Sequence, residues 1–431
     1  DAARLATLLQ GDPSAASPVG AGPVPLMWAA RYGNRVIIQL LLEAGAEPNV
    51  WRDEWNPPLD VAVRYQEDDV IQLLLDHGAD PDFKGQNGRS ETLACALRNG
   101  TVRSLEMLLD AGADPNRADN FFGAWGGNLA KIKLLLDHGR VVGKDRPPGG
   151  RGQEDLSVAA SNGQNAAVEL LLCHGADLDH VDKDGLTAIQ QARKAHHAST
   201  VELLTEHAEI RKLPGTRATQ LLNHRRRLID AYIDGTAAEV AAVLDGAPSL
   251  LESNVVQVSL LHDAAWNDKG DVVDVMVERG AAMTIHAAAA LGRVETVGSL
   301  LDADPCFIEA LYEDQPMAEL TPLKVAAHRA QIGVVELLLD RGAEINGQAI
   351  LANGGHGRST VVHAAVSSGS VAMLKLLLER GANINLKNRW GASPLATNWR
   401  SRDDVHRSEI RDLLVAHGAN PEDQPQELLM H

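Results

Sequence analysis

The stretch Leu40 to Asn49, LLLEAGAEPN, recurs six more times in altered form. LLLDHGADPD closes at Asp82, MLLDAGADPN at Asn116, LLLCHGADLD at Asp179, LLLDRGAEIN at Asn346, LLLERGANIN at Asn385 and LLVAHGANPE at Glu422. The leucine run reads as the buried face of a helix. The glycine after it, Gly45, Gly78, Gly112, Gly175, Gly342, Gly381 or Gly418, suits the left-handed position that ends a helix without Cβ strain. The Ala-Asp-Pro-Asn type sequence that follows begins a turn. Gaps of 33 and 34 residues separate the first three glycines, and gaps of 39 and 37 separate the last three. A fixed period this short means stacked units, so the 431 residues need not be divided among closed cores.

Upstream of each phrase lies a first helix, clearest at Thr321, Pro322, Leu323, Lys324, Val325, Ala326 and Ala327. Thr is placed to cap the helix, Pro suits the first helical position, and paired alanines permit close helix contact. Related forms occupy residues 24–30, 56–63, 90–96, 155–160, 186–192, 259–265, 284–289, 360–366 and 393–398. These residues resemble the T-P-L-H-x-A-A motif of the ankyrin-repeat family. The resemblance implies an all-α solenoid of about twelve helix-turn-helix units with β-hairpin or extended loops, binding partners along a concave groove.

A variant phrase appears as LATLLQGDPSAAS from Leu5, VAAVLDGAPSLLES from Val240 and VGSLLDADPCFIEA from Val297. In each, Pro closes the helix early. Two of these copies open the halves of the chain, which sets out an N-terminal sub-array over 1–210, a joint over 211–227 and a C-terminal sub-array over 228–431. The joint, RKLPGTRATQLLNHRRR, holds six basic residues and no acid. The unit at 120–139 is shortened, and the Gly-rich stretches at 143–152 and 347–359 read as long loops.

A formal net charge of -18 argues against general nucleic-acid binding, although a local basic patch is compatible with it. Cys95, Cys173 and Cys306 share no ligand spacing, so neither a disulfide framework nor a metal site is expected, and a reducing cytoplasm is the simplest setting. No apolar run is long enough to span a membrane. No cofactor motif appears. GRVVGK at 139–144 has the wrong spacing for a phosphate loop and is followed by Asp145.

Aromatic residues make up only 3% of the chain, so their positions carry information. The resemblance places the motif's x position and the two residues after the paired alanines in the groove. These are Trp28, Arg31 and Tyr32, then Arg64 and Tyr65, then Cys95, Arg98 and Asn99. Later units supply Asp263, Trp266 and Asn267, then His328 and Arg329, then Thr397, Arg400 and Ser401. Trp, Tyr and Arg dominate interface energetics because they join large contact area to directional polar groups. Trp51, Trp55, Phe121, Phe122 and Trp390 fall at expected hairpin tips. The expected function is that of a monomeric scaffold for a protein or peptide, including one bearing anionic groups. The alternative is a groove adapted to bind or transform a small molecule, with Asp263 or His328 as acid or base. A third possibility has the basic joint docking an acidic partner or surface.

His262, His286 and His363 occupy the motif's H position, which the resemblance assigns to hydrogen bonds between loop and helix. His77, His138, His174 and His417 precede the terminating glycines, where a partial positive charge complements a helix C-terminus. His196 and His197 are adjacent and, on a helix, would point to different faces, which argues against metal binding.

Overall fold

The computed structural model describes residues 2–16, 24–51, 56–83, 92–117, 128–142, 155–182, 184–312, 320–347, 359–388, 391–397 and 404–420. Residues 1–160 with 170–191 make one compact unit, and residues 161–169 with 192–431 make another. The secondary structure is helical, and pairing between extended segments is confined, among the described residues, to isolated bridges at Val181 with Thr187 and Tyr312 with Leu320.

In the first unit the helices alternate short and long in the order the sequence predicts. Pro25–Arg31, Pro58–Tyr65 and Thr92–Arg98 pack on one another as one layer, and Arg35–Glu43, Asp68–Asp76, Val102–Asp110 and Leu129–Asp137 as the next. In the second unit Leu261–Trp266, Ile285–Ala290, Pro322–His328 and Val361–Ser368 repeat the first layer. The alanines make this possible: Ala30, Ala62, Ala96, Ala265, Ala288, Ala326 and Ala365 are completely buried, because only a methyl group fits between first helices this close. The leucines of the long helices fill the space behind them, with Leu41, Leu74, Leu108 and Leu338 also completely buried.

All seven phrase glycines take φ between 85° and 94°. The capping threonine behaves as expected, with Thr321 accepting from the Lys324 amide across Pro322 at the first helical turn. The variant phrases run into short 3-10 turns, Pro13–Ala16, Pro248–Glu252 and Pro305–Glu309. The final Asn or Asp of the phrase does more than begin a turn. Asn49 donates to the Gly78 carbonyl at 2.9 Å and accepts from the Asp80 amide at 2.7 Å. Asn116 serves Gly139 and Val141 in the same way, and Asn346 serves Gly381 and Asn383. Each of these asparagines therefore satisfies a carbonyl at the helix end of the next unit.

The histidines follow the same logic. Nδ1 of His77, His138, His174 and His417 donates at 2.9 Å to the carbonyls of Leu73, Leu134, Leu170 and Leu413. Nε2 of His286 donates to the Ala310 carbonyl at 2.9 Å, and Nε2 of His363 to the Ala392 carbonyl at 3.1 Å. His196 and His197 do not sit on a helix as expected. They form the turn between Ala188–Lys194 and Ala198–Lys212, with His196 at φ 65°.

Burial lowers the pKa of His286 to about 4. The unfolded chain takes up a proton near pH 6.5 that the folded ring refuses until about pH 4, so stability is whole above that window and declines as pH falls through it. The loss assignable to His286 is on the order of 3 kcal/mol. Urea midpoints of the wild type and His286→Gln at neutral pH and near pH 4.5 would show it. The wild type is expected to lose more than the variant, and equal losses would refute the assignment.

Candidate binding face on the first helices

The exposed face of the first unit is built from its first helices. Pro25–Arg31 turns its alanines inward, which leaves Trp28, Arg31 and, at the helix end, Tyr32 facing out. One unit later, Pro58–Tyr65 presents Arg64 and Tyr65 in the same register, and Thr92–Arg98 presents Arg98 and then Asn99. Trp28 is 40% exposed, Tyr32 71% and Tyr65 44%, an arrangement a soluble surface rarely gives three neighbouring large rings.

These side chains are stacked on one another. The Trp28 and Tyr32 rings lie 6.0 Å apart and 9° from parallel. The Arg31 guanidinium sits 5.7 Å from the Trp28 ring centre and 5.3 Å from that of Tyr65, bridging two repeats by cation–π contact. Arg98 is anchored through Nε to the Ala94 carbonyl at 3.4 Å, and the Asn99 carbonyl accepts from Gln66 of the preceding unit.

Cys95, expected on this face, lies under it. The thiol is buried against the Asp60 carbonyl at 3.9 Å and the Asn99 amide at 3.8 Å, and burial raises its pKa. Asp60 is itself a residue the sequence reading missed. It stands where the motif has His and receives the Thr92 hydroxyl of the next unit, the same link that His262 makes with Thr284 at 2.8 Å.

In the second unit the expected groove residues separate. Asp263 is buried and receives the Tyr232 hydroxyl, with Asn267 donating to the same carboxylate oxygen at 3.0 Å. Burial raises the Asp263 pKa, and both burial and the adjacent Asp263 raise that of Tyr232. Lys269 lies 4.3 Å from the Tyr232 ring and donates to its carbonyl at 2.6 Å, which closes the cluster. Trp266 is half-buried with its ring 4.8 Å from that of His328, whose pKa burial lowers. Arg329 pairs with Asp268 at 3.7 Å. Asp263 and His328 thus belong to different contacts, and Asp263 faces its own structural partners.

Trp51 is half-buried. Trp55, Phe121, Phe122, Trp390, Arg400 and Ser401 lie outside the described residues. In the basic segment the chain is helical, as Ala198–Lys212 and Gly215–Asp234, and the expectation of a uniformly available basic patch fails at Arg225. That side chain is 1% exposed and held by Glu169 and Glu206, whereas Arg217, Arg226 and Arg227 are exposed. Among the described residues no cluster of three or more His, Cys, Asp and Glu could hold a metal ion, and no helix is long and apolar enough to cross a membrane.

Short first helices stacked through alanine, longer second helices closed by left-handed glycines and side-chain bonds from unit to unit define an α-helical repeat scaffold. A family model described as ankyrin repeats matches residues 5–85, 26–119, 121–213, 156–285 and 285–388, and the chain belongs to the ankyrin-repeat family. Among curated proteins it is similar to a probable E3 ubiquitin-protein ligase of rice, XBOS32, at 30% identity over 201 residues, which is 45% of this chain and 39% of the relative. It is also similar to the Arabidopsis thaliana E3 ubiquitin-protein ligase KEG, at 22% identity over 61% of this chain and 17% of that protein. A third relative, the Caenorhabditis elegans ankyrin repeat and KH domain-containing protein mask-1, is 26% identical over 42% of this chain and 7% of its own length. The chain spans well under half the length of each of these relatives.

Proposed function

We propose that the chain is a partner-binding scaffold whose principal contact surface is the first-helix face of the first unit, centred on Trp28, Arg31, Tyr32 and Tyr65. The observation that supports this reading is the stacked ladder of three exposed rings and a guanidinium across two repeats. Rigid aromatic side chains lose little entropy on binding and bury large area, which is why interface energy concentrates on such groups. The partner is a protein or peptide. The match covers 39% and 17% of the two ligases above, and a scaffold role alone is proposed for this chain.

The small-molecule alternative is less well supported. Asp263, its prospective acid or base, is engaged by Tyr232 and Asn267 and buried. The test of the scaffold reading is quantitative affinity capture from the source organism with the wild type and with Trp28→Ala/Tyr65→Ala. The substitutions are expected to remove the captured partner, at a cost of at least about 2 kcal/mol in affinity, without moving the thermal midpoint. Undiminished capture by the double variant would refute it.

A further inference from the structure

We infer that the segment gripped by the first-helix face is an acidic peptide, whose carboxylates are received by the guanidinium edges of Arg31 and Arg64. This inference rests on the scaffold reading and concerns the chemistry of its partner. It starts from how the chain treats its other arginines. Arg140 pairs with Asp155, Arg225 with Glu169 and Glu206, and Arg279 with Asp245. Arg293 pairs with Asp274, Arg341 with Asp302 and Arg380 with Asp340. In a chain carrying 58 acidic and 40 basic residues, these guanidinia each have a carboxylate partner, whereas among the described residues the exposed Arg35, Arg193, Arg217, Arg227 and Arg411 make no ion pair. Among the described residues Arg31 and Arg64 have none, although both are exposed. Glu67, the acid of the adjoining turn, packs against Gly33 and makes no ion pair with either.

The geometry adds direction to the charge. Arg31 is fixed between Trp28 and Tyr65, so the entropy of ordering a long side chain is already spent before a ligand arrives. A guanidinium placed beside two rings still carries a planar set of N–H donors, which matches the two oxygens of a carboxylate. Arg64 stands at the matching place one repeat on, so a ligand running across the repeats meets two such donors in turn, with Arg98 in register beyond them. Trp28, Tyr32 and Tyr65 would cover the apolar part of the same segment. A nucleic acid is disfavoured by the net charge of -18, which would repel a polyanion over the rest of its length, whereas a short acidic segment touches only this patch.

The test uses a displayed library of random dodecapeptides selected on the full chain. The peptides recovered are then measured by fluorescence anisotropy against the wild type, Arg31→Lys/Arg64→Lys and Trp28→Ala/Tyr65→Ala. Recovered peptides are expected to be enriched in Asp and Glu and to bind the lysine variant at least about tenfold more weakly, because lysine keeps the charge and loses the fork. Circular dichroism melting should be unchanged for both variants, since the substituted residues are exposed. Peptides that require Trp28 and Tyr65 but show no acidic enrichment, or that bind the lysine variant undiminished, would overturn the acidic partner and leave the scaffold reading standing. Peptides indifferent to Trp28→Ala/Tyr65→Ala would overturn both.

Discussion

Arg225→Met is expected to destabilise the second unit by about 3–5 kcal/mol, the usual cost of removing one partner from a buried ion pair. Nη1 of Arg225 donates to Oε2 of Glu169 at 3.0 Å and lies 3.1 Å from Nε2 of His207, while Nη2 is bonded to Glu206. Nε2 of His207 is itself 2.8 Å from the same Glu169 oxygen. Glu169 is completely buried, so removing the guanidinium takes a cation away from a charge shielded from bulk solvent. Glu206 is the link to the rest of the unit, since it also receives the Asn254 amide at 3.2 Å. Urea unfolding of the single variant, of Glu169→Gln and of the pair together forms a cycle. The double variant is expected to recover part of what each single loses, and losses that simply add would show that the groups do not interact. Charge reversal at Arg226 and Arg227, by contrast, should leave stability within about 0.5 kcal/mol, which makes those two the usable positions for testing the basic segment as a docking surface.

The contrast between Arg225 and its neighbours shows which parts of the molecule were legible in the sequence. The repeat unit was, because each of its features has a local cause: a leucine stripe, a glycine at positive φ, a capping threonine, a histidine bonded to its own helix. The ladder of Trp28, Tyr32 and Tyr65 was also legible as a set of exposed positions, through the family resemblance that places the residues after the alanine pair in the groove. Glu169 was not. Counting back the same distance from the other phrase glycines gives Gln39, Gln72, Glu106, Glu336, Lys375 and Asp412, a polar column in every copy. Only the helices Ala198–Lys212 and Gly215–Asp234, which bring His207 and Arg225 against it, bury that carboxylate, and nothing local announces them. Asp60 was hidden differently, by a motif so altered that an acid had replaced the histidine while keeping its bond to the next threonine. Asp263 was misplaced because its position in the motif is exposed at Trp28 but buried in other units, as at Cys95, Val325 and Ala364, and here Tyr232, from a helix outside the motif, bonds to it.

Lys131 is the counterexample, a residue whose role could have been read, and its replacement is the second large effect expected. Counting back two residues further from each phrase glycine gives Ile37, Val70, Ser104, Ala167, Val334, Met373 and Ile410, all buried except the half-buried Ile37, and the same count from Gly139 of the shortened unit gives Lys131, the single charge in that column. It is 7% exposed. Its Nζ donates to the carbonyls of Ala96 at 2.8 Å, Leu97 at 3.0 Å and Gly100 at 2.7 Å, the end of the preceding first helix, Thr92–Arg98. A helix C-terminus carries orphan carbonyls and partial negative charge, so an ammonium with three donors is matched to it in number and sign. Lys131→Met keeps the stem's bulk, removes the donors and is expected to cost the first unit about 2–4 kcal/mol, the penalty for stranding buried acceptors. Lys131→Arg separates charge from geometry. Its planar group cannot direct three N–H bonds from one nitrogen to three converging carbonyls, so it should remain clearly less stable than the wild type if geometry governs. Full recovery by arginine would show that charge alone holds this junction, and an undisturbed Lys131→Met would show that water satisfies the carbonyls instead. The position matters for the binding face as well, because the carbonyls that Lys131 holds belong to the helix carrying Arg98, so loosening them should weaken partner binding beyond Arg98 before it disturbs the ring ladder at Trp28.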